Sequence, residues 1–344
     1  MRLRSVAFIN ALAVIGAAGC ASGPSSSADL ASQTVTDSLA WFNDRVTVSP
    51  RAPEVYLERG SYQLRQGQTG EAISDFERAV SIDSTLVDDR HALGTIRFGV
   101  QDFEGAVREW EGVLNTDPNH IPSLLSMAEV DLLLRSYETA LERINGALRN
   151  NSRLDEGYFL KGRLYLETGD TAKAASSFQT VVEVNPQRYD AYIQLGLLYA
   201  SAHDDLALEY FQTARTLKPN SIEALYDEAI YLQEHGTDSP DRYRTALSLY
   251  DRILALDASN ASAAFNKGFV HLEYLLQYDS AAYWFDEAIA RLPYYHQAHY
   301  NKGLALESLG QNPAALASYD AALALAPAYT PAALAKGRVM ETLR

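Results

Sequence analysis

One cysteine, Cys20, stands in a chain of 344 residues. It has no partner for an intrachain disulfide, and no second thiol exists to build a cysteine-rich zinc site. Bases are scarce too: 29 Lys and Arg face 44 Asp and Glu, for a formal net charge of −15. Phosphates reward Lys and Arg, so this balance argues against nucleic acid or anionic lipid as a ligand of the body of the chain and favours basic partners. No apolar run reaches the roughly 20 residues that a membrane-spanning helix needs. Also missing are the phosphate-binding glycine loop, the zinc-protease helix motif and the nucleophile elbow. The seven histidines are scattered. His296 and His299 lie three apart without a carboxylate or Cys at helical spacing, and partial burial is expected for His299. In "HDD", His203 to Asp205, the two acids are expected to begin and cap a helix. These absences point to no metal, no cofactor and no enzyme. An enzyme or small-ligand site of unfamiliar form stays open as the alternative.

What is present is a period near 34 residues. A small residue is followed twelve positions later by another, four later by a large apolar or aromatic residue, and eight beyond that often by Pro. Gly60, Ala72 and Phe76 fit, as do Gly94, Ala106, Trp110 and Pro118, then Ala128, Ala140 and Ile144, then Gly162, Ala174, Phe178 and Pro186. The series continues through Gly196, Ala207, Phe211 and Pro219, then Ala229, Ala246 and Tyr250, then Gly268, Ala281, Phe285 and Pro293, and ends with Gly303, Ala315, Tyr319 and Pro327. The second small residue comes one position early in the fifth unit, five late in the sixth and one late in the seventh. Each unit reads as two amphipathic helices with apolar positions at i, i+3, i+4 and i+7. Small residues let the helices approach, the later aromatic packs across them, and Pro or a short residue ends the second helix near Asp117, Asn185 or Lys218. No unit buries its apolar face alone, so the units must stack.

Units such as "AFNKGFVHLEYLLQYDSAAYWFDEAIARLP" and "HYNKGLALESLGQNPAALASYDAALALAP" resemble the tetratricopeptide repeat family. The resemblance implies an all-α, right-handed superhelical solenoid of eight helix-turn-helix repeats over residues 53–329: 53–86, 87–120, 121–154, 155–188, 189–221, 222–260, 261–295 and 296–329. Residues 35–52, with Phe42 and Pro50 in phase, read as the second helix of a partial repeat. Residues 330–344, with Gly337 in phase, read as a capping first helix. The sixth repeat carries an insertion, "EHGTDSPDRYRT", expected to protrude as a turn that is either passive or a recognition loop.

The lone cysteine falls at a boundary. Arg2 and Arg4 precede an apolar run from Val6 to Ala18, broken only by Asn10, and Ala17, Ala18 and Gly19 lead into Cys20. The segment resembles a bacterial lipoprotein signal peptide, residues 1–19, ending in the lipobox "AAGC", with Ala17 where that motif usually has Leu. The resemblance implies cleavage before Cys20, lipid on it, and a cell-envelope location. Ala21, rather than Asp, after the cysteine points to the outer membrane, facing the periplasm. An ordinary secretory signal is the other reading. Residues 20–34 are small, polar and turn-prone, as a flexible tether would be.

In the family, the concave surface is lined by the first helix of each repeat and takes segments of other proteins. The corresponding positions here carry twelve acids against two bases, Arg65 and Arg163. The groove expected from repeats six to eight comprises Glu223, Tyr226, Asp227, Phe265, Asn266, Phe269, Glu273, Tyr300, Asn301, Leu304 and Glu307. Acids beside aromatics suit a partner presenting Lys or Arg between apolar residues; a merely solvated acidic face is the alternative. Asn266 and Asn301 resemble the asparagines of the dicarboxylate clamp of some cochaperones. The basic residues of that clamp are missing from the groove positions, since Lys267 and Lys302 fall at the neighbouring interior position with heads expected to snorkel. The reading is a lipid-anchored, non-enzymatic adaptor.

Overall fold

The computed structural model describes residues 27–235 and 240–343. Every regular element among them is helical. The residues up to Pro118 make one compact unit and those from Asn119 a second. The first holds α1 (Ser27–Val48) and the pairs α2–α3 (Pro53–Arg65, Thr69–Ile82) and α4–α5 (Val87–Gly99, Phe103–Thr116). The second begins with α6–α7 (Ile121–Leu133, Tyr137–Asn150), α8–α9 (Asp155–Glu167, Thr171–Val184) and α10–α11 (Tyr189–Ser201, Leu206–Leu217). It continues with α12–α13 (Ile222–Glu234, Pro240–Leu256), α14–α15 (Ala261–Phe269, Tyr278–Arg291) and α16–α17 (His296–Ser308, Asn312–Leu325), and closes with the single helix α18 (Thr330–Thr342).

The small residues do steric work. A Cβ added at Gly60, Gly94, Gly162, Gly196, Gly268 or Gly303 would come between 2.4 and 2.9 Å from the ring of Phe76, Trp110, Phe178, Phe211, Phe285 or Tyr319, respectively. Each first helix therefore offers a bare patch of backbone on which the ring of its own second helix sits. Where the third repeat has Ala128, the facing residue is the smaller Ile144, and both are fully buried.

The second helices α5, α9 and α11 end at Asp117, Asn185 and Lys218, where the sequence expects them to. Proline follows only some second helices; the recurrent device is an Asp or Asn that bonds the backbone two residues on. Asp83, Asn151, Asn185 and Asp257 accept from the amides of Thr85, Arg153, Gln187 and Ser259 at 2.9–3.1 Å. Such a turn satisfies polar groups that the helix end leaves open. Between the helices of a pair, Gly67, Gly169 and Gly310 take φ of +73 to +81°, the left-handed conformation glycine reaches without strain.

Irregular spacings are absorbed locally. In the sixth repeat α13 has 17 residues against 14 in α15, so the inserted segment from Pro240 onward is helix rather than turn. In the seventh the extra residue enters a π-helical turn, Val270–Tyr274, marked by the Leu275 amide bonding back to the Val270 carbonyl at 3.1 Å. In the fifth, Asp204 accepts from the Leu206 amide at 2.9 Å in the turn before α11, while Asp205, the N-cap residue, makes no side-chain capping bond and accepts from the Tyr231 hydroxyl at 3.1 Å.

Composition reads residues 27–34 as part of a flexible tether; in the structure they are the first turns of α1. Ser27 and Asp29 suit a helix start and Ala28, Leu30 and Ala31 have high helix propensity, which outweighs the turn-prone look of the preceding stretch. Residues 1–19, Cys20 and the rest of the tether up to residue 26 lie outside the described residues.

Candidate partner-binding face

The face expected to bind is carried by α12, α14, the π-helical turn and α16, all in the second unit. Asn266 donates to the Tyr226 hydroxyl at 2.8 Å, and the Tyr226 ring lies 6.1 Å from Tyr250. Phe265 stacks on Tyr295 at 4.8 Å and approaches Phe285 at 5.6 Å. Tyr300 sits 5.4 Å from Tyr329 and 6.0 Å from Tyr319. Phe269, 6.3 Å from Phe265, and Leu304 are half-buried along the same row. Burial raises the phenol pKa values of Tyr226, Tyr295 and Tyr300, so these rings stay neutral at any ordinary pH.

Three acids stand among these rings without a basic partner among the described residues: Glu223, Asp227 and Glu273. Glu223 accepts from the Tyr189 hydroxyl at 2.9 Å, and that hydroxyl also lies 2.8 Å from Ser221 Oγ. Asp227 is largely withdrawn from water; desolvation first, and then the neighbouring Glu223, push its carboxyl up to about 7. Glu273 is exposed on the π-helical turn.

Several other acids of the row are neutralised. Glu307 accepts two hydrogen bonds from Arg338 of α18, at 2.8 and 2.9 Å, and one from the Tyr319 hydroxyl at 2.6 Å. The Arg338 bonds are the main reason its carboxyl lies below the ordinary range. Its expected place as a free groove acid is therefore corrected. Arg188 binds Glu156 at 2.7 Å, lies near Asp155 and Asp190, and covers the Phe159 ring at 4.6 Å. Arg163 lies 3.3 Å from Glu129. Both asparagines are corrected as well: Asn301 is buried and donates to the Gln297 carbonyl of its own helix at 2.8 Å, and Asn266 is committed to Tyr226. Their amides are spent on structure.

Sequence positions hid two bases and two aromatics. Arg188 lies in the turn before a first helix and Arg338 in α18, outside the groove positions of the repeat; Tyr189 and Tyr295 lie at the starts of α10 and α16. The available signal was the period, since Arg188 and Arg338 meet acids 32 and 31 residues earlier. Lys267 is 4% exposed, with its ammonium 3.5 Å above the Trp284 ring and paired with Asp251. Its head is thus held inside rather than snorkelling to water. Lys302 pairs with Asp286 at 2.6 Å, and neither lysine serves the groove. His203 Nδ1 and His235 Nε2 approach to 3.1 Å, and His299 contacts the Pro293 carbonyl. Among the described residues no three His, Cys, Asp or Glu come together as a metal would require, and no helix is long and apolar enough to cross a membrane.

Tetratricopeptide repeat family models match residues 53–86, 159–230 and 269–330. The chain carries tetratricopeptide repeats. It is similar to anaphase-promoting complex subunit 3 of Schizosaccharomyces pombe, 26% identical over 242 residues, covering 70% of this chain and 36% of that protein. It is also similar to the BBSome complex member BBS4 of Bos taurus, 21% identical over 285 residues, covering 74% of this chain and 54% of that protein. The chain thus spans from about a third to about half the length of these curated relatives. Among solved structures, the C-terminal part of a TPR repeat-containing protein from Cytophaga hutchinsonii superposes with a TM-score of 0.53 at 19% identity, covering 69% of this chain and 96% of that one. At that identity the likeness establishes the fold: stacked helix pairs of the tetratricopeptide type.

Proposed function

We propose that this protein is a non-enzymatic interaction scaffold, and that the α12–α16 face of its repeats holds a basic, partly apolar segment of another protein. One observation carries the reading. Glu129, Glu156 and Glu307 of the row have arginine partners, whereas Glu223, Asp227 and Glu273, set among Tyr226, Phe265 and Tyr300, have no basic partner among the described residues. A Lys or Arg from a partner would supply the missing charge, and the rings offer cation–π contact and apolar area. The names of the relatives as subunits of multiprotein assemblies support a scaffold role.

Selection of binders from a random peptide library on the purified protein tests this. Recovered peptides should be enriched in Lys or Arg spaced by apolar residues. They should lose at least about tenfold in affinity, roughly the 1.4 kcal/mol of one charged contact, toward a Glu223→Gln, Asp227→Asn, Glu273→Gln variant. Peptides without basic enrichment, or binding both proteins equally, would overturn the reading.

We further propose that Cys20 is lipidated after cleavage of residues 1–19, anchoring the scaffold in a bacterial cell envelope, at the outer membrane facing the periplasm. More than one acyl chain would make that attachment stable. Radiolabelled palmitate fed to a bacterial host should label the protein, and Cys20→Ala should abolish the label and release the protein from the membrane fraction. Equal labelling of both forms would refute the anchor.

A further inference from the structure

A row of cations follows the repeat. The residue just before the small residue of a first helix faces the residue just after the ring of the preceding second helix, 16 positions earlier. In the seventh and eighth repeats and in α18 these pairs are Lys267 with Asp251, Lys302 with Asp286 at 2.6 Å, and Lys336 with Asp320 at 2.5 Å. Arg59 of the first repeat has Asn43 in that place, at 2.8 Å, and takes its carboxylate from Asp75 at 2.6 Å. In the fourth repeat the cation is kept and the acid is not. Lys161, half-buried, meets only the amide oxygen of Asn145, at 3.3 Å, and has no carboxylate partner among the described residues.

A second substitution opens space beside this ammonium. In the seventh repeat Trp284, immediately before Phe285, covers the Lys267 ammonium at 3.5 Å. The fourth repeat has Ser177 immediately before Phe178, and the eighth has Ser318 before Tyr319 but retains Asp286. Of these three repeats, only the fourth lacks both the covering ring and the carboxylate. At Ser177 it has a pocket of about 210 Å³, lined by Tyr158, Lys161 and Tyr165 of α8 and by Lys173, Ser176 and Thr180 of α9.

Every polar side chain in that lining is a cation or a hydroxyl. Lys173 is exposed, 2.7 Å from Asp170 and 5.3 Å above the Tyr165 ring, so its ammonium can turn toward the pocket. Ser177 and Thr180 donate to carbonyls of their own helix at 2.7 and 3.0 Å, and Tyr158 donates to the Ser152 carbonyl at 3.3 Å. The hydroxyls of Ser176 and Tyr165 make no hydrogen bond among the described residues, which leaves them to donate to a ligand. Two ammonium groups and hydroxyl donors around a small space complement a tetrahedral oxyanion. The acid excess of the chain disfavours an extended polyanion, but exposed charges farther than about 8 Å are largely screened at physiological salt, so the two lysines govern the pocket.

We infer that this pocket of the fourth repeat binds a small phosphate-type oxyanion, free or carried as a phosphomonoester, with Lys161 as the fixed charge and Lys173 closing over it. The site lies on α8 and α9 and does not depend on the α12–α16 face being a partner site.

Phosphorus NMR of inorganic phosphate titrated with the full chain, in a buffer free of other oxyanions, tests this. The resonance should broaden with the natural protein and sharpen again when sulfate is added as competitor. Lys161→Gln should weaken the affinity at least about tenfold, as loss of a charge-assisted hydrogen bond does. Asn145→Asp should weaken it similarly while keeping Lys161, because it restores the ion pair that Lys302 and Lys336 have. Its melting temperature should be unchanged or higher, so that lost binding is not lost fold. N-acetyl-phosphoserine amide separates the two sources: affinity equal to or above that of inorganic phosphate supports an esterified occupant, and affinity well below it supports the free ion. No broadening by the natural protein, or equal broadening by the natural protein and both variants, would overturn the proposal.

Discussion

Gly196→Val should lower the stability of the second unit by about 3 kcal/mol, seen as a drop in the denaturant midpoint followed by far-UV circular dichroism. The Cβ alone would lie 2.4 Å from Phe211 Cε1, 2.6 Å from Cδ1 and 2.9 Å from Cζ. That ring cannot retreat, because it is almost fully buried among Tyr189, Ile193, Ala207, Ala214, Ala224 and Tyr231. Overpacking of this kind costs typically about 1–3 kcal/mol, far more than the few tenths that Val gains over Gly in helix propensity. The matched control is Gly337→Ala, where nothing lies within 4 Å. It should gain about 0.5–1 kcal/mol, the ordinary benefit of replacing glycine within a helix. If both substitutions shift the midpoint alike, the ring-on-glycine account of the repeats is wrong.

Asp227→Asn is expected to stabilise the protein at pH 8 and to be nearly neutral at pH 4. The folded-state carboxyl is raised to about 7 from the ordinary 3.8, chiefly by desolvation and further by Glu223. A raised acid binds its proton more tightly in the folded state than in the unfolded one. Its contribution is therefore neutral below about pH 4 and becomes a penalty as pH climbs from there through 7. At 1.36 kcal/mol per pKa unit the full penalty approaches about 4 kcal/mol; partial access to water and local relaxation bring the expected gain at pH 8 to about 2–4 kcal/mol. The quantity to measure is the difference between natural protein and variant across the pH range, because Glu307, held low by Arg338, contributes a loss of opposite sign toward acid. A difference that does not change between pH 4 and pH 8 would show that Asp227 is ionised and solvated in the folded protein.

The same carboxyl connects stability with binding. A site that withholds a charge from water in the free protein gains it back when a cation arrives, so capture of a basic segment should release a proton and tighten as pH rises through about 7. Residues that bind in this way commonly reduce the stability of the free protein.

Sequence alone determined that the protein is a stack of two-helix repeats, because the period near 34 and the spacing of Gly196 to Phe211 or Gly303 to Tyr319 are one-dimensional records of which helix meets which. A ring needs a seat, and both appear in the chain at a set separation. What it did not determine is charge state along the α12–α16 face. Glu223 and Glu307 are both groove-position acids in one dimension; only the fold brings Arg338 to Glu307 and leaves Glu223 with a tyrosine hydroxyl. Asn266 and Asn301 were indistinguishable from groove donors until packing turned their amides inward. The π-helical turn and the lengthened α13 were visible only as irregular counts. The physical reason is common to all of these. Helix formation and pairing follow from local pattern and a short repeat, whereas desolvation and ion pairing depend on which side chains arrive from other turns, and small changes in tilt or helix length decide that.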